Sequence, residues 1–182
     1  MLKRPIVALF AVSLLGPWTV SAQQIAADQY DQLQFRHIGP VGNRVSSVAG
    51  VPGDRFTYFV GAATGGIWKT EDGGLHWRPV FDDQPVHAVG ALAVAPSDPA
   101  VVWAGTGEPF IRSNVSIGDG VWKSTDGGET WTHSGLEGPG RIARIVIHPT
   151  DADIVYAAQV GHGYSPQASR GIYRTTDGGA AW

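Results

Sequence analysis

From residue 44 onward the chain alternates short apolar stretches with polar, glycine-rich breaks, and the stretches return in a fixed order. Tyr58-Phe59-Val60-Gly61, Val102-Trp103-Ala104-Gly105 and Val155-Tyr156-Ala157-Ala158 are rich in β-branched and aromatic residues, the composition of strands. Each precedes a second stretch, Gly66-Ile67-Trp68-Lys69, Gly120-Val121-Trp122-Lys123 or Gly171-Ile172-Tyr173-Arg174, where large apolar residues alternate at the two-residue period of a strand. Upstream, Leu92-Ala93-Val94-Ala95 and Ile145-Val146-Ile147-His148 run into Pro96-Ser97-Asp98 and Pro149-Thr150-Asp151. Pro52-Gly53-Asp54 holds the same place in the first unit, and proline and aspartate there end a strand and begin a turn. No segment beyond the first 22 residues has a convincing helical period.

An octet closes each unit: Thr70-Glu71-Asp72-Gly73-Gly74-Leu75-His76-Trp77, Ser124-Thr125-Asp126-Gly127-Gly128-Glu129-Thr130-Trp131 and Thr175-Thr176-Asp177-Gly178-Gly179-Ala180-Ala181-Trp182. Its aspartates stand 54 and 51 residues apart. A repeat of that length with four short strands and two kinds of turn predicts an all-β fold, a β-propeller of four-stranded antiparallel blades. Residues 44–182 make about three blades, the third cut off before its last strand. A propeller ring closes with roughly four to eight blades, so the ring is incomplete and the remaining blades of a parent chain are its expected partners.

Composition narrows the chemistry. There is no cysteine among the 182 residues, which excludes disulfides, thiolate metal sites and cysteine nucleophiles. Thirteen Lys and Arg stand against 16 Asp and Glu, too few cations for a nucleic-acid partner. Gly105-Thr106-Gly107 has Phe110 where a dinucleotide fingerprint needs its third glycine, and the six His show no metal-ligand spacing, so neither cofactor nor metal is expected.

Residues 1–22 read as an export signal. Lys3 and Arg4 precede an apolar run from Ile6 to Leu15, Gly16-Pro17 breaks it, and Val20-Ser21-Ala22 offers a cleavage point. The run is too short to span a bilayer, and no cysteine follows it for a lipid anchor, so no stable membrane anchor is expected. Cleavage after Ala22 leaves 160 residues, 11 Lys and Arg against 16 Asp and Glu, a net charge of −5. Residues 23–43 are a lead-in.

In each octet the aspartate is placed to accept hydrogen bonds from its own turn, the glycines to take positive φ, and the tryptophan to cover the turn. Asp72, Trp77, Asp126, Trp131, Asp177 and Trp182 are therefore expected to be structural. A calcium loop does not fit: counting from Asp126, Gly128 and Thr130 occupy ligand positions and Trp131 stands where the loop needs glycine.

The octet resembles the Asp-box, or bacterial neuraminidase repeat. The second copy matches every fixed position, while His76 and Ala181 replace the threonine in the others. Phe35-Arg36-His37-Ile38-Gly39-Pro40, Gly65-Gly66-Ile67-Trp68-Lys69 and Gly105-Thr106-Gly107-Glu108-Pro109 extend the resemblance to large exported bacterial proteins labelled glycosyl hydrolase or sortilin-like. That resemblance implies the propeller fold; the scaffold carries hydrolases, receptors and assembly factors alike. The similar xyloglucan hydrolases carry a catalytic aspartate in a Thr-Asp-x-Gly-Gly run. Aligned on Gly65-Gly66, this chain has Ala63 there, and alanine supplies neither acid nor base. Sialidases resembling it open on Phe/Tyr-Arg-Ile-Pro, which residues 35–40 contain only when split by His37 and Gly39.

The second and third units are longer between their second and third strands, with insertions at 107–119 and 161–169. Loops of this kind, with the interblade links, share one end of a blade, opposite the octet turns, and binding residues gather on such loops. Arg112, Asn114, His162 and Tyr164 are the candidate ligand-binding residues, and Glu108 and Asp119 the candidate catalytic carboxylates, on an end shared with Asp82 and Asp83. Aromatic, polar and acidic groups together suit a glycan or polypeptide. The reading is an exported binding module for either ligand. The alternatives are a glycoside hydrolase with most carboxylates in further blades and a protein-binding sorting or assembly factor.

Overall fold

The computed structural model describes residues 44–110, 114–138 and 140–182, together with the isolated Ala26. The signal segment, Arg36 and Arg112 lie outside the described residues. No helix occurs among those described.

Three antiparallel sheets follow one another along the chain. The first runs β1 (Val45–Gly50), β2 (Tyr58–Ala62), β3 (Ile67–Thr70), β4 (Arg78–Pro79), each strand paired with the next. The second repeats it as β5 (Val89–Val94), β6 (Val102–Thr106), β7 (Val121–Ser124), β8 (Thr132–His133), and the third has β9 (Ile142–His148), β10 (Asp151–Gln159) and β11 (Gly171–Thr175). The register repeats as well: Val60 faces Trp68, Ala104 faces Trp122 and Ala157 faces Tyr173. These are the blades of a β-propeller.

The core lies between blades. Phe59 and Ile67 of the first sheet, with Phe81 just beyond it, meet Leu92, Val94, Val102 and Trp122 of the second and Trp131 of its octet turn. At the next junction Trp103 and Val121 meet Ile145, Ile147, Val155 and Trp182. Phe81 approaches Trp122 and Trp131 edge-on, with centroids at 5.7 and 5.3 Å, and Trp103 meets Trp182 likewise at 5.9 Å. Such pairs add about 0.5–1.5 kcal/mol each beyond the area they bury.

Close approach of adjacent blades explains two glycines. A Cβ on Gly61 would stand 2.6 Å from Val89 Cγ1, and one on Gly105 would stand 2.6 Å from Ile142 Cβ. Polar bonds tie the same junctions. Trp131 Nε1 donates to Val80 O at 2.8 Å and Trp182 Nε1 to Ser134 O at 2.7 Å, so the octet tryptophan of one blade holds the last-strand region of the blade before it. In the opposite direction Lys69 Nζ reaches Glu129 at 3.1 Å and Lys123 Nζ reaches Gly178 O at 3.0 Å.

All three octet turns share one hydrogen-bond pattern. Thr70, Ser124 and Thr175 each donate a hydroxyl to the aspartate two residues on, at 2.7–2.8 Å. That aspartate accepts the backbone N–H of His76, Thr130 or Ala181 at 2.9–3.0 Å. Both glycines of each turn take positive φ, between 68° and 94°. The hydrogen bonds stabilise the charged form, so the three carboxyls titrate below the usual range: Asp72 chiefly through the backbone N–H of His76, Asp126 through the hydroxyl of Thr130, Asp177 through that of Thr175.

Candidate functional site

At the end opposite the octet turns, one set of backbone bonds recurs in every blade. Ala63 N donates to Arg44 O at 2.9 Å, Gly107 N to Ala88 O at 2.7 Å, and Val160 N to Arg141 O at 2.8 Å. Each pins the loop after the second strand to the residue that introduces the first strand. Two further bonds, Gly66 N to His87 O and Gly118 N to Gly140 O, pin the other side of that loop to the following link.

The result is a groove of about 670 Å³ formed by the β2–β3 loop, the link 81–88 and the long loop 107–120, with Thr64, Val86, His87, Val115, Ile117 and Asp119 among its lining. The long loop is closed at its base. Thr106 Oγ1 donates to Gly120 O at 2.7 Å and accepts Asp119 N at 2.7 Å, while Glu108 N donates to Ser116 O at 2.9 Å. The groove wall is therefore held by hydrogen bonds rather than left as free coil.

The named residues separate in space. Asp119 is half-buried at the groove, with His133 Nε2 donating to its carbonyl at 3.0 Å. The Glu108 side chain is fully buried, and Arg44 Nη2 donates to its Oε1 at 2.8 Å from a guanidinium half in solvent. Asn114 is exposed, and Arg112 lies outside the described residues. His162 and Tyr164 sit on the third blade's loop and do not line the groove. That loop is organised by Gln167, whose Oε1 accepts His162 N at 2.7 Å, and by Arg170, whose Nη2 donates to His162 O at 2.7 Å; Tyr164 remains 75% exposed. Asp82 lies at the same end, its Oδ1 near Gly66, outside the groove.

Sequence reasoning missed Arg44 and Arg141. Both stand at the same point of the repeat, immediately before a first strand, where the second blade has Ala88. Arg141 is 3% exposed, and its Nε and Nη1 have no partner among the described residues. Each arginine borders the segment Gly107-Glu108: Arg44 through its ion pair, Arg141 through its Cγ, which would lie 2.9 Å from a Cβ on Gly107. The signal was present in the register of the repeat rather than in any motif.

Chemically, the groove offers apolar wall, hydroxyl, imidazole and one carboxylate, that of Asp119. Ala63 is fully buried. Paired acid and base chemistry needs a second carboxyl facing the same bond, and Glu108 is committed to Arg44 in the interior. No group of three or more His, Asp or Glu side chains among the described residues is placed to hold a metal ion. A larger hollow of about 710 Å³ adjoins the last octet turn, but its walls are the junction where Trp182 closes on Ser134.

Fold and site together define a partial β-propeller with a loop-end groove. No family model matches the sequence. A curated xyloglucanase from a Paenibacillus species is 29% identical over 131 residues, covering 65% of this chain and 12% of that protein. The crystal structure of a GH74 xyloglucanase from Xanthomonas campestris superposes with a TM-score of 0.58 at 20% identity, over 80% of this chain and 21% of the other. YCF48 bound to a D1 peptide gives 0.57 at 20% identity, over 82% and 44%. At that identity the structural likeness concerns the fold, and the chain spans less than half of each of these relatives.

Proposed function

We propose that this chain is the part of a larger exported propeller protein that binds a glycan through the groove between the β2–β3 loop and loop 107–120. The observation that carries the reading is the groove itself, three segments from two blades gathered by a repeated set of backbone bonds. Similarity to a xyloglucanase supports a polysaccharide ligand. The charge, apolar run and small-residue site of residues 1–22 support export.

A second reading, a polypeptide ligand, is supported by the apolar Val86, Val115 and Ile117 of the groove and by the likeness to a propeller bound to a peptide. Hydrolysis would require carboxylates from further blades, with Asp119 as this chain's contribution. The discriminating experiment is calorimetric titration with xyloglucan oligosaccharides and, in parallel, with a library of extended peptides, together with a reducing-sugar assay. Saturable oligosaccharide binding without turnover supports the module, and turnover abolished by Asp119→Asn supports the hydrolase. Peptide binding alone would replace the first reading with the second.

A further inference from the structure

One buried charge in the chain has no answer. Arg141 stands immediately before β9 at the loop end and packs against the second blade, its Cγ 2.9 Å from where a Cβ on Gly107 would be. Only 3% of the residue is exposed, and its Nε and Nη1 are sealed from solvent without an acceptor. Arg44, at the same point of the repeat, is treated differently: its guanidinium is half in solvent and donates to Glu108 at 2.8 Å. The repeat places a cation here twice, gives one a carboxylate and water, and leaves the other with neither.

A buried charge without a partner is among the costliest arrangements in a protein interior. A lysine or histidine escapes by releasing its proton, which a guanidinium does not do in a protein. A further blade does not answer Arg141 either, because the two nitrogens have no surface left for another segment to touch. What remains is a counter-ion small enough to be enclosed with it. A second donor is close by. Gln159, 5% exposed on β10, lays its amide against Gly140, the residue before Arg141, with Nε2 2.5 Å from where a Cβ on that glycine would be. Gly140 O in turn accepts Gly118 N of the long loop at 3.0 Å.

We infer that Arg141, with the Gln159 amide beside it, holds one small inorganic anion of the halide class, enclosed at the junction of the second and third blades beneath the base of loop 107–120. One monovalent ion matches the one unpaired charge. Sulfate, phosphate and the carboxylate of a sugar acid or a peptide are too large to reach nitrogens with no accessible surface. A chloride ion is close to water in size, accepts N–H groups from several directions, and enters as the chain folds or as the junction opens locally. Because it lies beside the bond between Gly118 and Gly140, it steadies the groove wall whichever ligand the groove takes.

The test dialyses the full chain into sodium gluconate and exchanges gluconate for chloride at constant ionic strength. The melting temperature is expected to rise by roughly 4–10 °C once chloride exceeds its dissociation constant about a hundredfold, and then to level off. Gluconate is too large to enter the site. Chloride-35 NMR is expected to show excess line width that bromide displaces. Arg141→Met, apolar and of similar reach, is expected to abolish both effects, and Arg144→Met, which removes an exposed arginine three residues on, to leave both intact. Crystals grown in bromide are expected to give an anomalous peak within hydrogen-bond distance of Arg141 Nε or Nη1. Melting that ignores the exchange or rises without saturation would overturn the proposal. So would line broadening that survives Arg141→Met, or bromide found only at the surface with water at the guanidinium. Should Arg141→Met fail to fold, Arg141→Lys is expected to hold chloride at least about tenfold more weakly, and unchanged affinity would count equally against the site.

Discussion

At the scale of single residues, hydrogen bonds rather than burial set the electrostatics of the octet turns. Asp126 and Asp177 are exposed and Asp72 is half-buried, yet donors within each turn hold their titration below the ordinary value of 3.8. A carboxyl whose folded value is depressed contributes stability above its unfolded value and loses it as the pH falls toward the folded one. The melting temperature is therefore expected to be flat above about pH 5 and to fall below about pH 4, with a shallower fall in Asp126→Asn, checked by calorimetry across that range. Glu108 works in the opposite environment, buried and held by Arg44. Glu108→Ala removes the Arg44–Glu108 bond and leaves the interior with a void, and is expected to cost about 2–3 kcal/mol in urea unfolding. Placing Glu108 on a loop was sound from spacing alone. Its direction was not legible, because Arg44 lies 64 residues earlier and only the fold brings the two together.

At the scale of strands and blades, the sequence was most informative where it repeats. The octets, the two apolar stretches and the Pro-x-Asp turns all predicted where strands end, since each turn needs particular residues and each strand needs alternation. The first strand of the first blade, Val45–Gly50, was the least legible, because VSSVAG carries only two large apolar residues and both are exposed. The tryptophans also proved to be more than covers for their own turns: Trp131 and Trp182 donate across to the preceding blade. Trp131→Phe keeps the ring contact with Phe81 but strands Val80 O, with an expected cost of about 1 kcal/mol. Gly105→Ala is expected to cost about 1–3 kcal/mol by overpacking against Ile142, and Ile142→Ala in the same chain to return part of it, both read by chemical denaturation.

At the scale of the whole molecule, three blades form a scaffold and the loops at one end carry the variation. Blades one and two supply the groove, while the 161–169 insertion of blade three folds on itself around Gln167 and Arg170. Sequence spacing put both insertions at one end, but it contained nothing about which would build a shared wall, since that depends on where link 81–88 runs. The central claim is that this groove is the ligand site. Calorimetric titration of xyloglucan oligosaccharides into the wild-type chain, Ile117→Glu in the groove and Leu75→Glu at the opposite end tests it most directly. We expect saturable binding that Ile117→Glu weakens at least about tenfold, close to 1.4 kcal/mol, and that Leu75→Glu leaves intact. Binding that survives Ile117→Glu but is lost in Leu75→Glu would move the site to the octet end and contradict the account.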